Sequence, residues 1–362
     1  MPVCLKLMNK AIVAGLAAGV LVVGLIFSPV FSGFPLFTAQ AQSTGITKQF
    51  TLVADEMDVQ ITPDSHALWP GLMYRAMVFN GTVPGPVISV HQGDTVEITL
   101  VNEGDVIHSL DFHSAVTTRG ANSGPVLAGE SFTWSFEAPN AGAFFYHCSA
   151  DGLNGVWEHI ANGMYGGVVV HPHNEKPAKE FYVGFNQIYT SSTTNDATGA
   201  FDFNKFMTKN PDLILTNGMA HKYVPAIGGV AQIPLNSEAT PFMVKPGELT
   251  RWYIVNAGPN DGIAFHFIGA MLDVRDGSIK NRYGTQDKND ETWWIPPGSA
   301  SVIEAVFPED GVYVGVDHEM TDVVKGGAFA VVASNDSTDD DHPEGTMVMS
   351  MEDTMMDDSM MG

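Results

Sequence analysis

One stretch of the sequence holds three residue types that bind soft metal ions, and it surrounds a scarce cysteine. Cys148 is followed by His159 and Met164, and the 362-residue chain has one other cysteine, Cys4. Two imidazoles and a thiolate with a weak axial methionine form the copper sites that carry electrons. A fourth ligand must come from another strand, and His108 is the candidate. These four residues predict an electron-transfer copper site.

A second group of histidines follows from the alternation of side chains along strands. His108 and His113 are an odd number of positions apart, and His147 and Cys148 are adjacent. In regular strands each pair therefore points to opposite faces. One face receives His108 and Cys148, and the other receives His113 and His147. Two imidazoles without a thiolate, completed by a third, would hold a mononuclear copper with an open position for substrate.

Two further features belong to this second site. Asp111 shares the face of His113, so its carboxylate is placed to exchange protons with a molecule bound there. The alternative is an ordinary polar strand residue in a hydrogen bond. The third histidine should come from the second half of the chain, where the candidates are His221, His266, His318 and His342. His266 and His318 lie in segments that repeat the ligand segments of the first half, which favours them.

Short strands separated by turns must position these residues. From Thr47 to Pro172, apolar and polar residues alternate in short runs that turn residues such as Asn80-Gly81 interrupt. A second unit, beginning near Lys176, repeats this order: "FMVKPGELTRWYIVNAG" echoes "ISVHQGDTVEITLVNEG". An internal repeat of this size predicts an all-β chain with two β-sandwiches of the same fold.

The two ends of the chain differ from its strand-rich middle. Lys6 and Lys10 precede or border an apolar run, and an Ala39-Gln40-Ala41 cleavage site follows, so residues 1–41 are predicted to be a signal peptide. An uncleaved anchor is the alternative. Residues 42–175 and 176–335 are the predicted sandwich domains, and residues 336–362 are predicted to be a disordered, acidic, methionine-rich tail. We expect an exported protein, in the periplasm or on the outer face of the cytoplasmic membrane.

The charge balance bears on the partners of the chain. Asp and Glu number 41 against 17 Lys and Arg, which gives a formal net charge of −24. A chain this acidic is not expected to bind nucleic acid or an anionic membrane surface after signal cleavage. A protein partner would instead dock through a basic or apolar patch of its own.

Several motifs together resemble the copper-containing nitrite reductases, a family of two-domain cupredoxins. They include "FNGTVPGP", "HSLDFH", "FFYHC", "HIANGMYGG", "ETWWIPPGSA" and "GVYVGVDHEM", spread over most of the mature chain. The resemblance implies two tandem cupredoxin-like Greek-key β-sandwich domains. It also implies a homotrimer with one type 1 and one type 2 copper in each subunit.

The resemblance implies a role for each candidate residue. The type 1 ligands would be His108, Cys148, His159 and Met164. The type 2 ligands would be His113 and His147, with His318 from the neighbouring subunit. Asp111 and His266 would supply protons, and Ile268 would shape the substrate pocket. The implied reaction is one-electron reduction of nitrite to nitric oxide with uptake of two protons and release of water, the electron coming from a small donor protein, a cupredoxin or a cytochrome.

The sequence also departs from the family pattern. The segment from Cys148 to His159 is longer than usual, and Glu158 separates Trp157 from His159, which bears on the donor-docking surface. Residues Gly269 to Ser299 form a polar insertion that would include the family's protruding tower loop.

Three other functions are compatible with parts of the pattern. A two-domain multicopper oxidase would need about eight histidines, mostly in His-x-His pairs, whereas Ser149 stands where such an enzyme has the histidine after its cysteine. A pure electron carrier would need only the type 1 set. The same two-copper architecture acting on hydroxylamine or nitric oxide is the remaining alternative.

Overall fold

Four β-sheets, arranged as two face-to-face pairs, make up most of the described part of the chain. The computed structural model describes residues 45–118, 121, 123–150, 155–193, 197–224, 239–275 and 287–338. The predicted signal peptide and residues 339–362 of the predicted tail lie outside the described residues. None of the helices in the described part of the chain is long and apolar enough to cross a membrane.

The first sandwich pairs the sheet β2-β1-β4-β6 with the sheet β3-β8-β7-β5. Its strands are β1 (Thr47–Gln60), β2 (Met73–Phe79), β3 (Ile88–His91), β4 (Thr95–Asn102), β5 (Asp111–Phe112), β6 (Ser131–Glu137), β7 (Gly142–His147) and β8 (Tyr165–His171). Side chains from both sheets, among them Ile98 and Trp134 from one and Phe112 and Val168 from the other, form one buried core.

The second sandwich pairs the sheet β10-β9-β12-β17-β14-β15 with the sheet β11-β19-β18-β13-β16. Its strands are β9 (Lys179–Ile188), β10 (Leu213–Thr216), β11 (Phe242–Val244), β12 (Leu249–Gly258), β13 (Ile263–Ile268), β14 (Leu272–Val274), β15 (Asp287–Asp290), β16 (Trp293–Ile295), β17 (Ser299–Val306), β18 (Gly311–Asp317) and β19 (Ala328–Ala333). Strands β14 to β16 lie inside the segment that we predicted to be a polar insertion.

The two sandwiches repeat one topology. In the first, β1 runs parallel to β4 and antiparallel to β2, and in the second, β9 runs parallel to β12 and antiparallel to β10. Likewise β3 is parallel to β8 and β11 is parallel to β19. The all-β fold of two like sandwiches, predicted from the internal repeat, is confirmed.

Alternation of residue types explains the strands. In β4, "TVEITLVN" buries Val96, Ile98 and Leu100 while the residues between them are only half-buried. Burying one face of a strand fixes its register, because a shift by one residue would expose all three apolar side chains. The chain leaves β2 through Asn80 and Gly81, whose positive φ angles of 52° and 74° suit a tight turn.

Among the residues that the structure describes, three short helices join the strands: α1 (Gly155–Ala161), α2 (Phe203–Met207) and α3 (Met320–Lys325). The carboxylate of Asp202 caps α2 by accepting hydrogen bonds from the backbone N–H groups of Asn204 and Lys205. α1 lies between Cys148 and β8, where the sequence analysis predicted no helix.

A shared apolar cluster joins the sandwiches. It contains Phe145 and Tyr165 from the first sandwich and Tyr182, Tyr253 and Val302 from the second. Burial of large aromatic side chains contributes most of the free energy of such a contact. The two sandwiches are therefore parts of one compact unit.

A buried pair of histidines adds a polar contact across the same boundary. His66, between β1 and β2, accepts a hydrogen bond from the backbone N–H of Trp69 at Nδ1, at 3.0 Å. Its Nε2 therefore carries the hydrogen and lies 3.1 Å from Nδ1 of His221, which follows β10. Both rings are nearly inaccessible to solvent, with exposed fractions of 2% and 0%. This arrangement holds only while both imidazoles are neutral.

A buried arginine anchors the segment between the sandwiches. Arg251 in β12 is 1% exposed and contacts three carboxylates, those of Glu175, Glu180 and Glu304. Its Nη2 lies 2.7 Å from Glu304 and 2.9 Å from the backbone oxygen of Lys176. Although His171, Glu175 and Glu180 lie close enough to hold a cation, the guanidinium of Arg251 already pairs with both carboxylates. We interpret the group as a structural ion-pair network.

Replacing Arg251 by methionine should destabilise the protein by about 3–5 kcal/mol, because it removes the guanidinium that pairs with Glu175 and Glu180 and leaves Glu304 with Arg275 alone. The measurement is the free energy of unfolding from urea denaturation. The control is Arg75→Met, which breaks the exposed pair with Asp58 and should cost about 0–1 kcal/mol. Equal losses in the two variants would contradict the structural role of Arg251.

Candidate metal centres

Three buried side chains converge inside the first sandwich. Sγ of Cys148 lies 3.1 Å from Nδ1 of His159 and 3.8 Å from Nδ1 of His108. The exposed fractions of the three residues are 0%, 6% and 0%. Met164 is also fully buried, in the same cluster as Cys148, and its carbonyl oxygen accepts the backbone N–H of Cys148 at 3.1 Å. This is a set of soft donors in a dry site.

Different elements bring these residues together. Cys148 directly follows β7, His159 lies on α1, and Met164 immediately precedes β8. His108 lies outside the named strands, in an isolated bridge with Val126. The segment that we treated as a strand from His108 to His113 is therefore regular only at β5, yet it still sends the two histidines to different clusters.

The protonation states suit metal binding. Burial raises the pKa of the Cys148 thiol to about 12 and lowers the pKa of His159 to about 4. Burial also lowers the pKa of His108, which a hydrogen bond to Glu56 partly offsets. The imidazoles are neutral near pH 7, which is the form that binds metals, and a cation would favour loss of the thiol proton. The donor set therefore fits copper.

A network of serine hydroxyls that the sequence analysis did not predict lies next to Cys148. The backbone N–H of Ser109 points to Sγ of Cys148 at 3.4 Å. The Ser109 hydroxyl donates to the carbonyl of Gly124 at 2.6 Å, and the Ser149 hydroxyl lies 3.2 Å from Ser109 and 2.5 Å from Ser123. These contacts hold the amide of Ser109 in place beside the sulfur. No short motif marks them, because the serines are far apart in sequence.

The second cluster lies on the other face of β7. Nε2 of His147 is 3.3 Å from Nε2 of His113 and 3.7 Å from a carboxylate oxygen of Asp111. Nδ1 of His147 donates to the carbonyl of Cys148 at 2.8 Å, so its Nε2 is the nitrogen free to bind a metal. The ring of His113 makes a hydrogen bond with the backbone of Gly298, in the second sandwich. Burial lowers the pKa of His147 to about 4.

Two of the remaining candidates, His266 and His318, lie together on the second sandwich, whereas His221 pairs with His66 and His342 lies outside the described residues. The rings of His266 in β13 and His318 after β18 meet edge to face, with centroids 5.3 Å apart. Nδ1 of His266 contacts the carbonyl oxygen of Glu291. His318 is exposed, and so is Ile268, with an exposed fraction of 52%. Among the described residues, the group formed around His113 and His147 contains Asp111 but neither His266 nor His318.

The side chain of Trp157, which Glu158 separates from His159, lies among other aromatic rings. Trp157 on α1 stacks on Phe206 of α2, with ring centroids 5.1 Å apart, and also contacts Phe201 and Phe203. Phe203 is 51% exposed. The helix that carries His159 is therefore backed by aromatic side chains from the segment between β9 and β10.

Comparison with known proteins places this arrangement among copper proteins. The multicopper oxidase family profile matches residues 62–175. The copper-containing nitrite reductase of Neisseria meningitidis is 33% identical over 268 residues, which cover 72% of this chain and 64% of the relative. That of Cereibacter sphaeroides is 30% identical over 324 residues, which cover 83% of this chain and 80% of the relative. The chain thus spans slightly less than two thirds of the Neisseria relative.

Solved structures agree with these relatives. A copper nitrite reductase from Nitrosomonas europaea superposes with a TM-score of 0.71 at 30% identity, covering 84% of this chain and 100% of that chain. A multicopper oxidase crystal structure reaches a TM-score of 0.63 at 23% identity, covering 80% and 89% of the two chains, and shows likeness of fold alone.

The buried histidines predict that the metal-free protein loses stability in mild acid. Burial lowers the pKa of His147, His159 and His221 to about 4, from 6.5. At these three histidines the unfolded chain therefore binds more protons than the folded chain between about pH 4 and 6.5, whereas burial raises the pKa of Asp317 to about 7 and acts in the opposite direction. Three groups outweigh one, so the free energy of unfolding falls as the pH falls through this window. Urea midpoints at about pH 7 and about pH 5 measure the loss.

Two variants test this assignment. Asparagine tolerates the positive φ of 60° at position 221. His221→Asn should therefore reduce the loss of stability between pH 7 and pH 5. His173→Gln removes an exposed imidazole and should leave it unchanged. A midpoint that does not move between pH 7 and pH 5 would contradict the interpretation.

Proposed function

Because the chain belongs to the copper-containing nitrite reductase family, we propose that it binds copper at two sites and reduces nitrite to nitric oxide. The reaction consumes one electron and two protons for each nitrite and releases one water. The observation that carries the proposal is the pair of donor clusters joined by the adjacent residues His147 and Cys148. The bound copper ions would supply the one-electron chemistry.

The type 1 site is proposed to consist of His108, Cys148, His159 and Met164. Its support is the convergence of two imidazole nitrogens on one buried sulfur, with the methionine buried beside them. Trigonal coordination by two histidines and a cysteine, with a weak axial methionine, is the ligand set of electron-transfer copper sites.

The type 2 site is proposed to lie at a subunit boundary of a homotrimer. His113 and His147 of one subunit would be joined by His318 of the neighbouring subunit. In support, His318 is exposed in the single chain and lies outside the group formed by Asp111, His113 and His147. Exposed apolar side chains lie on the sheet that ends at His318 or in the helix that follows it, among them Ile268, Val312, Trp294 and Met320. A cluster of this kind typically becomes buried in an oligomer.

Asp111 and His266 are proposed to supply the two protons. The carboxylate of Asp111 is half-buried, with 35% of its side chain exposed, and lies 3.7 Å from Nε2 of His147. It is therefore within reach of a small anion bound next to that nitrogen. His266 uses Nδ1 for the contact with Glu291, which leaves Nε2 to give or take a proton. Ile268 would provide an apolar wall to the pocket.

The partners and location follow from the same reasoning. The acidic surface of the chain suits a small donor protein, a cupredoxin or a cytochrome, with a basic docking patch. Export to the periplasm or the outer face of the cytoplasmic membrane is proposed from residues 1–41. The two-domain oxidase alternative is weaker, because it requires more histidines than the two clusters contain.

The direct test is nitric oxide production from nitrite by the copper-loaded protein with a reduced artificial donor. Asp111→Asn should lower the rate about 10²–10⁴-fold without loss of copper, because it removes a proton donor but no proposed ligand. Asp310→Asn, which alters an exposed carboxylate between β17 and β18, is the control. Turnover of hydroxylamine or nitric oxide, with no nitric oxide made from nitrite, would replace this function by the alternative substrates.

A mixed-subunit experiment tests the shared site. Neither His147→Ala nor His318→Ala should reduce nitrite alone, and both should keep the type 1 absorption band. Co-expressed, the two variants should recover activity, because about one quarter of the interfaces in randomly mixed trimers would contain both intact histidines. If His147 and His318 served one site within a single chain, mixing would restore nothing.

A further inference from the structure

A carboxylate from β1 meets the outer nitrogen of a proposed type 1 ligand. Oε1 of Glu56 lies 2.7 Å from Nε2 of His108. The side chain of His108 is 0% exposed and that of Glu56 is 13% exposed, so the contact is shielded from bulk water. A hydrogen bond to a charged group is stronger in such surroundings than at an open surface.

The surrounding backbone holds Glu56 in one position. Its Oε2 accepts the backbone N–H of Asp105 at 2.8 Å. A Cβ atom at position 104 would lie 2.6 Å from Oε1 of Glu56, so only glycine lets the carboxylate come this close. The amide of Gly104 is itself held by Asn102 Oδ1 at 3.0 Å and by the carbonyl of Ala54. The pocket for the carboxylate is therefore built into the chain.

This contact decides which nitrogen of His108 can bind a metal. Since Nε2–H donates to Glu56, Nδ1 carries no hydrogen in the neutral ring and turns its lone pair toward Cys148, 3.8 Å from Sγ. Carboxylates that accept the second N–H of a metal-binding histidine fix its tautomer and its orientation, and they make the imidazole a stronger donor.

We propose that Glu56 is a positioning residue of the type 1 site, which orients His108 and lowers the reduction potential of the bound copper. The inference rests on the proposed type 1 site. A fixed negative charge one imidazole away stabilises Cu(II) more than Cu(I), because the oxidised ion carries the larger positive charge. The reduced site then passes its electron to the second site more readily.

Three variants distinguish the effect of the Glu56 charge, the effect of its hydrogen bond on the orientation of His108, and the general effect of removing a negative charge from β1. Glu56→Gln keeps an oxygen that can accept the hydrogen bond from His108 but removes the charge. Glu56→Ala removes both. Asp58→Asn removes one charge from the same strand at a residue that pairs with the exposed Arg75. Each is prepared as the copper-loaded full chain, and its copper content and circular dichroism are measured first.

The readout is a redox titration of the thiolate-to-copper absorption band, which requires no nitrite. We expect Glu56→Gln to keep the band while its potential rises, so that the equilibrium constant for electron transfer to the second site falls about tenfold, or about 59 mV. Glu56→Ala should also change the band and weaken copper binding about 10–100-fold. Asp58→Asn should match the wild type.

The possible outcomes are distinct. A potential in Glu56→Gln equal to that of the wild type overturns the tuning role, and an unchanged band and copper affinity in Glu56→Ala overturn the orienting role. Absence of the band in the wild type overturns the type 1 site and this inference with it. If the band and the shift are present but nitrite is not reduced, the inference stands and the proposed substrate falls.

Discussion

Two adjacent residues in an extended chain cannot point to the same side, and this constraint organises the molecule at the end of β7. Tyr146 and Cys148 enter the core of the first sandwich, whereas Phe145 belongs to the cluster shared with the second sandwich. His147 follows Phe145 to that outer side, where the two rings stack with centroids 5.0 Å apart. The end of β7 thus supplies one residue to each of the two donor clusters, and a different part of the protein encloses each cluster.

The inner face is provided by the first sandwich itself. The backbone N–H of Ser109 and the imidazole of His159 contact the sulfur, and the carboxylate of Glu56 holds the outer nitrogen of His108. The outer face is provided by the second sandwich, whose Gly298 contacts His113 and whose aromatic residues pack on Phe145. The duplicated half carries Asp317 and His318 where the first has His147 and Cys148. This half supports the first half, and its His266 and His318 lie at its surface.

The sequence predicted those features that depend on residues close together in the chain. Strand alternation and the internal repeat predict the all-β fold of two sandwiches, and the side-chain alternation separates His108 from His113 although most of that segment is not regular strand. Glu56 was missed because it lies 52 residues before His108 and reaches it only through the parallel pairing of β1 with β4. The contact between His66 and His221 spans 155 residues and depends on two loops whose paths no sequence pattern predicts.

The aromatic contact of Trp157 bears on how this chain can evolve. The ligand helix α1 is backed by Phe201, Phe203 and Phe206, all of which belong to the other sandwich. If the two sandwiches were independent, either one could be replaced by the corresponding sandwich of a relative. Here a first sandwich without an aromatic side chain at position 157 would leave three aromatic side chains facing a gap beside the helix that carries His159. Substitution in one half is thus limited by its packing against the other.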